Sequence, residues 1–354
     1  MTTSCASYKL LILIILLSLL SCKKDKKKIE EPKVKISPVL SLDSLKQTAF
    51  VATLENPIKE KKNIIYAPSL LYAWDKVREK LLSPILLTGS NSLDFKLFNA
   101  SESHQNALRD SEYSATVKVI DNEISAKAIF TKKLPFEMKM QELDHAINFE
   151  GVEVAAFGMK YYDENLLKML EILYYEDDSN FILKLKPKDE QQEIILVKGL
   201  DNYPTLAQAM KRTNALIAEG EKQRTQTELS WKYQFVPKDI FEIPKIEFNI
   251  DTHYPGIEGQ SFSTKNKQRY SIIEAYQRTD FTLNERGAEV ESEAFLTAAA
   301  DSGAPKPIVT HPKKLIFDSP FLIILKRVEA PNPYFVMKVA NSELLIISKY
   351  SQVQ

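Results

Sequence analysis

The sequence predicts an α+β fold in which strands and helices share one core and a long loop stands exposed. Three observations carry this. A strand-like stretch, Tyr270 to Leu283, leads into a charged, alternating run, Asn284 to Ala294 (NERGAEVESEA). Two apolar segments, Leu315 to Leu325 and Tyr334 to Val339, read as a buried hairpin. The polar, Pro-containing stretch between the charged run and these segments has little hydrophobic periodicity, as expected of a loop.

These residues carry a family resemblance. Leu315-Ile316-Phe317-Asp318-Ser319-Pro320-Phe321 followed by apolar residues is similar to the C-terminal signature of the serpins. Asn284-Glu285-Arg286-Gly287-Ala288-Glu289 resembles the serpin hinge, usually Asn-Glu-Glu-Gly-Thr-Glu, and the two motifs occur in the right order. The resemblance implies a large mixed or antiparallel main sheet, smaller sheets, packed helices and an exposed reactive loop at about 287–314.

The chain has 354 residues, long enough for one large domain. It carries 47 basic and 47 acidic residues, a balance that argues against a general nucleic-acid binder. Its two cysteines, Cys5 and Cys22, lie near the N-terminus, so no disulfide framework is expected in the body.

In chain order, Lys9 precedes an apolar run, Leu10 to Leu20, too short to span a bilayer comfortably. This is the layout of a signal peptide, residues 1–21. It ends in Leu19-Leu20-Ser21-Cys22, which resembles a bacterial lipobox and implies lipidation of Cys22. Residues 22–38 are charged and Pro-containing, a solvated tether with too little apolar surface to fold. A single domain is expected over 39–350.

Leu40, Leu42, Leu45 and Phe50 read as an amphipathic helix. Asn63 to Ser69 reads as a strand and Leu70 to Leu82 as a helix, a pair similar to the serpin Asn-(apolar)-Phe-Ser-Pro segment and its helix. Ser83 to Tyr113 carries little signal, and serpin elements placed between Leu82 and Ile124 are expected to be missing or reduced. Ala115 to Asp121 and Ile124 to Thr131 form a hairpin about Asp121-Asn122. The segments Val152 to Tyr162 and Leu170 to Tyr175 resemble further serpin strands. Phe181 to Pro187 and Glu193 to Lys198 form another hairpin. Pro204 to Glu219 is a helix with Leu206, Met210, Thr213 and Ile217 on one face and Gly220 as its stop. Phe241 to Phe248 resembles the Leu-Pro-Lys-Phe strand, and Gly256 to Gly259 is a turn.

Other chemistry is not indicated. His104, His145, His253 and His311 show no metal spacing. There is no Gly-x-Ser-x-Gly elbow and no Gly-rich phosphate loop. No enzyme activity, cofactor or metal is expected.

The resemblance implies an inhibitor of serine or cysteine proteases. A protease attacks the loop and becomes an acyl-enzyme. The hinge side then enters the main sheet as a new strand and traps it. Insertion demands alternate burial. Ala288, Val290, Ser292 and Ala294 are small enough for the core, whereas Glu289, Glu291 and Glu293 can remain in water. Gly287 lets the chain turn inward, and Glu285 belongs to the same hinge. Counting forward from Gly287 places the reactive bond at Asp301-Ser302. Counting back from Pro320 gives Val309-Thr310, because the loop is long, with 33 positions from Gly287 to Pro320. Asp301-Ser302 is preferred, since hinge length must match the sheet; Ala298 to Ala300 suits an elastase-like protease instead.

The chain departs from the family at several places. Arg286 and Ala288 replace a hinge glutamate and threonine, and Leu134 stands where a tryptophan is usual. Leu70, Ala126 and Gln277 occupy the positions of a Ser, Asn and His cluster under the insertion point, so that network is expected to be lost. The expected partners are a target protease and a membrane reached through the lipid anchor, with a monomeric protein at the outer membrane or cell surface. The second reading is a non-inhibitory member of the fold, a binding or structural module.

Overall fold

The computed structural model describes residues 38–130, 132–200, 202–288 and 311–349. All lie in one compact unit, Ser37–Gln354. A nine-stranded main sheet is built from β1 (Leu40–Ser41), β2 (Ile85–Leu86), β3 (Tyr113–Ile120), β4 (Glu123–Phe130), β5 (Leu134–Pro135), β6 (Ile246–His253), β7 (Ser261–Thr264), β8 (Arg269–Asn284) and β9 (Gly287–Ala288). It is mixed. β8 runs antiparallel to β6 and parallel to β4, and β1 runs parallel to β6. The α+β class and the large mixed sheet agree with the sequence reading.

β8 organises this sheet. Ala275, Gln277, Thr279, Phe281 and Leu283 point into the core, and the residues between them are half-exposed, the period-two pattern of a strand with one wet face. Nearer its start the buried set is Tyr270 and Ile272. A bulge at Ile273 shifts the register against β4 and changes the parity. β3 and β4 form the expected hairpin. Asp121 and Asn122 both have positive φ, 48° and 67°, as the tight turn that matches strand twist requires.

Behind the main sheet lies a seven-stranded sheet in the order Leu170–Asp177, Asn180–Leu185, Gln192–Lys198, Phe321–Arg327, Phe335–Val339, Asn63–Tyr66, Thr48–Val51. Every residue of Gln192–Lys198 and Phe335–Val339 is buried. The apolar C-terminal hairpin is therefore the middle of the core, with Phe321 opposite Val339 and Leu325 opposite Phe335. A four-stranded sheet, Lys314–Ile316, Ile240–Pro244, Ala156–Met159 and Gln141–Glu142, closes over it. There Phe317 meets the rings of Phe181 at 5.1 Å and Phe321 at 5.0 Å.

The helices are α1 (Ser69–Leu81), α2 (Leu93–Ala100), α3 (Glu164–Leu167) and α4 (Leu206–Arg224). Two expectations are corrected. Residues 40–50 are not a helix: Leu40–Ser41 pairs with Ile250–Asp251, and Thr48–Val51 pairs with Asn63–Tyr66. Strand pairing overrides the helical spacing of the leucines. Gly220 does not stop α4, which runs on to Arg224 and starts at a Thr205 cap rather than at Pro204. A Cβ on Gly220 would lie 1.9 Å from the Leu173 carbonyl oxygen, so the glycine permits close packing of helix on strand. The stretch with little signal, Ser83 to Tyr113, holds the short strand β2 and the eight-residue helix α2 and only the first residue of β3. No described helix is long and apolar enough to cross a membrane.

Candidate functional site

At its far end β8 meets a tight reversal. The Arg286 amide donates to Asn284 Oδ1 at 2.8 Å, and the chain returns antiparallel as β9. β9 is wedged between two strands. Ala288 lies opposite Leu283 of β8 on one side and Leu134 of β5 on the other; Gly287 lies between Asn284 and Pro135. The amides of Phe136 and Met140 donate to the carbonyls of Arg286 and Glu285, both at 2.8 Å. The hinge therefore already forms the first two rungs of a strand inside the main sheet.

Only glycine fits at 287. Its φ is +133°, and a Cβ would lie 2.4 Å from the Leu134 carbonyl oxygen and 2.8 Å from Pro135 Cα. Ala288 is buried, as the alternation predicts. Glu285 is buried too, and its carboxylate meets Lys245 Nζ at 2.8 Å and Lys139 Nζ at 3.6 Å. Burial pushes its carboxyl upward, but the hydrogen bond and charge of Lys245 outweigh that and hold it below the usual carboxylate range. Burial likewise opposes the Lys245 ammonium, yet Glu142 at 2.6 Å and Glu285 raise it above the usual lysine range.

Below β9 the sheet closes. β4 and β8 pair directly, with Thr279 across from Phe130 and Gln277 across from Ala128. Leu283 faces Leu134 through Ala288 at the same offset, 149 positions, as Thr279 from Phe130. The register of the closed part thus continues unbroken into the part that β9 occupies.

Beneath this point Leu70, Ala126 and Gln277 are all buried. Polarity is kept at one of them. The Gln277 Oε1 accepts from the Leu70 amide at 3.3 Å, and its Nε2 donates to Thr279 Oγ1 at 3.1 Å. Ala126 sits across from Ala275. Leu134 fills the usual tryptophan position as a buried apolar residue whose carbonyl faces Gly287.

The other end of the loop is also pinned. Lys313 is almost wholly buried: its amide donates to Asp239 Oδ1 at 2.7 Å, and its Nζ donates to the Gln234 carbonyl at 2.7 Å. The ammonium lies 3.3 Å from Asp239 Oδ2 and 5.9 Å from the Tyr175 and Trp231 ring centres. His311 packs on Trp231 at 4.6 Å. Lys313, Asp239 and Trp231 were not singled out in the sequence; Lys245 lies in the segment that resembles the Leu-Pro-Lys-Phe strand, but its pairing with Glu285 was not foreseen.

Glu289, Val290, Ser292, Ala294, Asp301, Ser302 and Cys22 lie outside the described residues. The other histidines have ordinary partners: His104 with Asp75, His145 with Glu242 and His253 with Glu258. Among the described residues no cluster of His, Cys, Asp and Glu could hold a metal ion.

Comparison with known proteins is sparse in sequence. No family model and no curated protein matches the chain. Among solved structures, a serpin from Schistosoma mansoni aligns at 11% identity and a TM-score of 0.38, over 63% of this chain and 56% of that one. A serpin from the trematode Schistosoma haematobium gives 15% and 0.38, over 62% and 57%. Tengpin, a thermophilic serpin in the native state, gives 14% and 0.36, over 62% and 55%. The aligned part spans little more than half of those chains.

Proposed function

We propose that this chain is a serpin-like inhibitor of serine or cysteine proteases, with β9 as the seed of the strand that traps the enzyme. One observation carries the reading: β9 already lies between β8 and β5, in the register that β4 and β8 keep below it.

The register can be run forward. With Ala288 opposite Leu283, continued pairing sets Val290 opposite Phe281, Ser292 opposite Thr279 and Ala294 opposite Gln277. Those β8 residues face the core. Glu289, Glu291 and Glu293 fall opposite Thr282, Asp280 and Arg278 on the wetter face. Allowing for the bulge at Ile273, Asp301 falls opposite Arg269, where β8 begins. A cut at Asp301-Ser302 therefore releases a strand as long as the sheet that receives it, roughly 43 Å from Ala288 to Asp301.

In the proposed reaction the protease nucleophile attacks the Asp301 carbonyl, the Ser302 amine leaves with a proton, and an ester or thioester to Asp301 forms. The freed strand then parts β4 from β8. One parallel ladder is lost and two antiparallel ladders are gained, which drives insertion. The chain acts here as the bait and not as a catalyst. The second reading, a non-inhibitory surface module, is favoured by the direct β4–β8 pairing, which must be broken before any insertion.

We read residues 1–21 as a signal peptide and Cys22 as the acylated first residue of a monomer held at a bacterial membrane surface, supported by Leu19-Leu20-Ser21-Cys22 and the charged tether. The test of the inhibitory reading is incubation with elastase-like, subtilisin-like, papain-like and acid-specific proteases. A complex that survives boiling on a denaturing gel supports it. Clean cleavage by every protease, with no complex, supports the second reading.

A further inference from the structure

At the end of the main sheet away from the hinge, four aliphatic side chains stand in water. Leu82 is 90% exposed, Ile120 63%, Ile273 54% and Leu86 50%. They come from four segments tied together by hydrogen bonds and strand pairing. Leu82 closes α1, and the next residue, Ser83, accepts from the Lys265 amide at 3.2 Å. Leu86 pairs with Ser263 of β7. Ile120 precedes the Asp121-Asn122 turn, where Asn122 accepts from the Ser271 amide at 2.9 Å and from Gln268 Nε2 at 2.7 Å. Ile273 is the bulged residue of β8.

Leu82 is held at φ 48°, the left-handed cap position where glycine or asparagine is usual. A leucine there costs conformational energy and gains no packing within the molecule. The surroundings carry a small basic excess: Lys118, Lys265, Lys267 and Arg269 are exposed on the same segments, against the acids Glu79, Asp121 and Glu123.

We propose that this end docks on an anionic bilayer surface. Leu82, Leu86, Ile120 and Ile273 enter the head-group layer, and the basic side chains pair with lipid phosphates. The four side chains come from a helix end, two strands and a bulge on separate segments. Interfacial binding combines buried apolar area with attraction to anionic lipid, and both are provided here. The arrangement holds the turn at Asn284 away from the bilayer, because Ile273 and Asn284 are separated along β8 by roughly 36 Å. The proposal rests on the lipid-anchor reading only for how the protein reaches a membrane. The 16 positions from Cys22 to Pro38 reach at most about 55 Å, enough for this end to touch down.

The test uses the chain from Lys23 onward, which retains every described residue and lacks Cys22. It is sedimented with vesicles of phosphatidylcholine alone and of phosphatidylcholine mixed with phosphatidylglycerol. Binding to the mixed vesicles is expected. Leu82→Ser with Ile120→Thr should weaken it at least about tenfold, and Lys265→Glu with Lys267→Glu by a similar factor at low salt. Both positions of the first pair are exposed, and an unchanged thermal melt verifies the fold. No binding to mixed vesicles, or undiminished binding by Leu82→Ser with Ile120→Thr, overturns the proposal. So does self-association in solution that the same pair abolishes, which would assign the face to a second copy. Incorporation of labelled palmitate at Cys22 tests the anchor independently.

Discussion

Glu285 and Lys245 form an ion pair at 2.8 Å at the mouth of the main sheet, with both side chains only one-tenth exposed. The pair joins the hinge turn to the bend between Ile240–Pro244 and β6. It therefore fixes where the returning chain enters the sheet.

Removing the lysine leaves a buried carboxylate with the more distant Lys139 and Arg286, at 3.6 and 3.9 Å, as its remaining cations. Lys245→Met is expected to cost about 2–4 kcal/mol in chemical unfolding. The pH dependence has a definite sign. The depressed Glu285 carboxyl gives stability present above the unfolded glutamate value, about 4.3, and lost as pH falls through its lower folded value. The raised Lys245 gives stability present below about 10.4 and lost as pH rises through its higher folded value. Unfolding titrations should show both limbs in the parent and a shallower acid limb in Lys245→Met. Superimposable acid limbs would refute the latch.

Gly287→Ala should expel β9, because the new methyl meets the Leu134 carbonyl. The expected loss is about 1–3 kcal/mol. Hydrogen exchange should accelerate at the Phe136 and Met140 amides, whose acceptors are on the hinge. Unchanged protection there would mean that the hinge geometry is wrong.

Lys313 and Asp239 predict a contrast between single and double substitutions. Asp239→Leu alone strands a buried ammonium and should cost about 3–5 kcal/mol. Lys313→Met with Asp239→Leu should recover most of that loss, measured as the coupling in a double-mutant cycle. A double mutant no more stable than Asp239→Leu would exclude the pairing as the source of the cost.

Gly220→Ala separates helix propensity from packing. Propensity alone would stabilise α4 by about 1 kcal/mol. The close approach of the Leu173 carbonyl predicts net destabilisation of about 2 kcal/mol or more instead. A higher melting temperature would show that α4 can move away from its strand.

The register also predicts a functional contrast within the loop. On the inhibitory reading, Ser292→Arg would bring a charge opposite Thr279 in the core on insertion and should make the chain a substrate rather than a trap. Glu291→Gln, on the wet face, should leave trapping intact. The readout is the ratio of covalent complex to cleaved protein on a denaturing gel.

Local, periodic features were legible in the sequence. The apolar C-terminal hairpin and the Asp121-Asn122 turn are set by alternation and by residues that tolerate positive φ. The strand that feeds the hinge and the fit of glycine at 287 were legible for the same reason. Helix α2 was missed because its signal is only eight residues long, under a Ser92 cap. Residues 40–50 were misread because pairing with Ile250 and Asn63 decides their conformation. The Glu285–Lys245 and Lys313–Asp239 pairs join residues 40 and 74 positions apart, which no local pattern can announce. The hinge beyond Ala288, the reactive bond and Cys22 lie outside the described residues, so they rest on the sequence reading and the register alone.

The central claim is that β9 is the start of a strand that completes itself once the loop is cut. The most direct measurement is the melting temperature of the protein before and after a single cleavage near Asp301-Ser302. Insertion predicts a rise of at least about 10 °C, the shift that roughly 6–7 kcal/mol gives in a chain of this size. An unchanged or lower melting temperature after complete cleavage would contradict it.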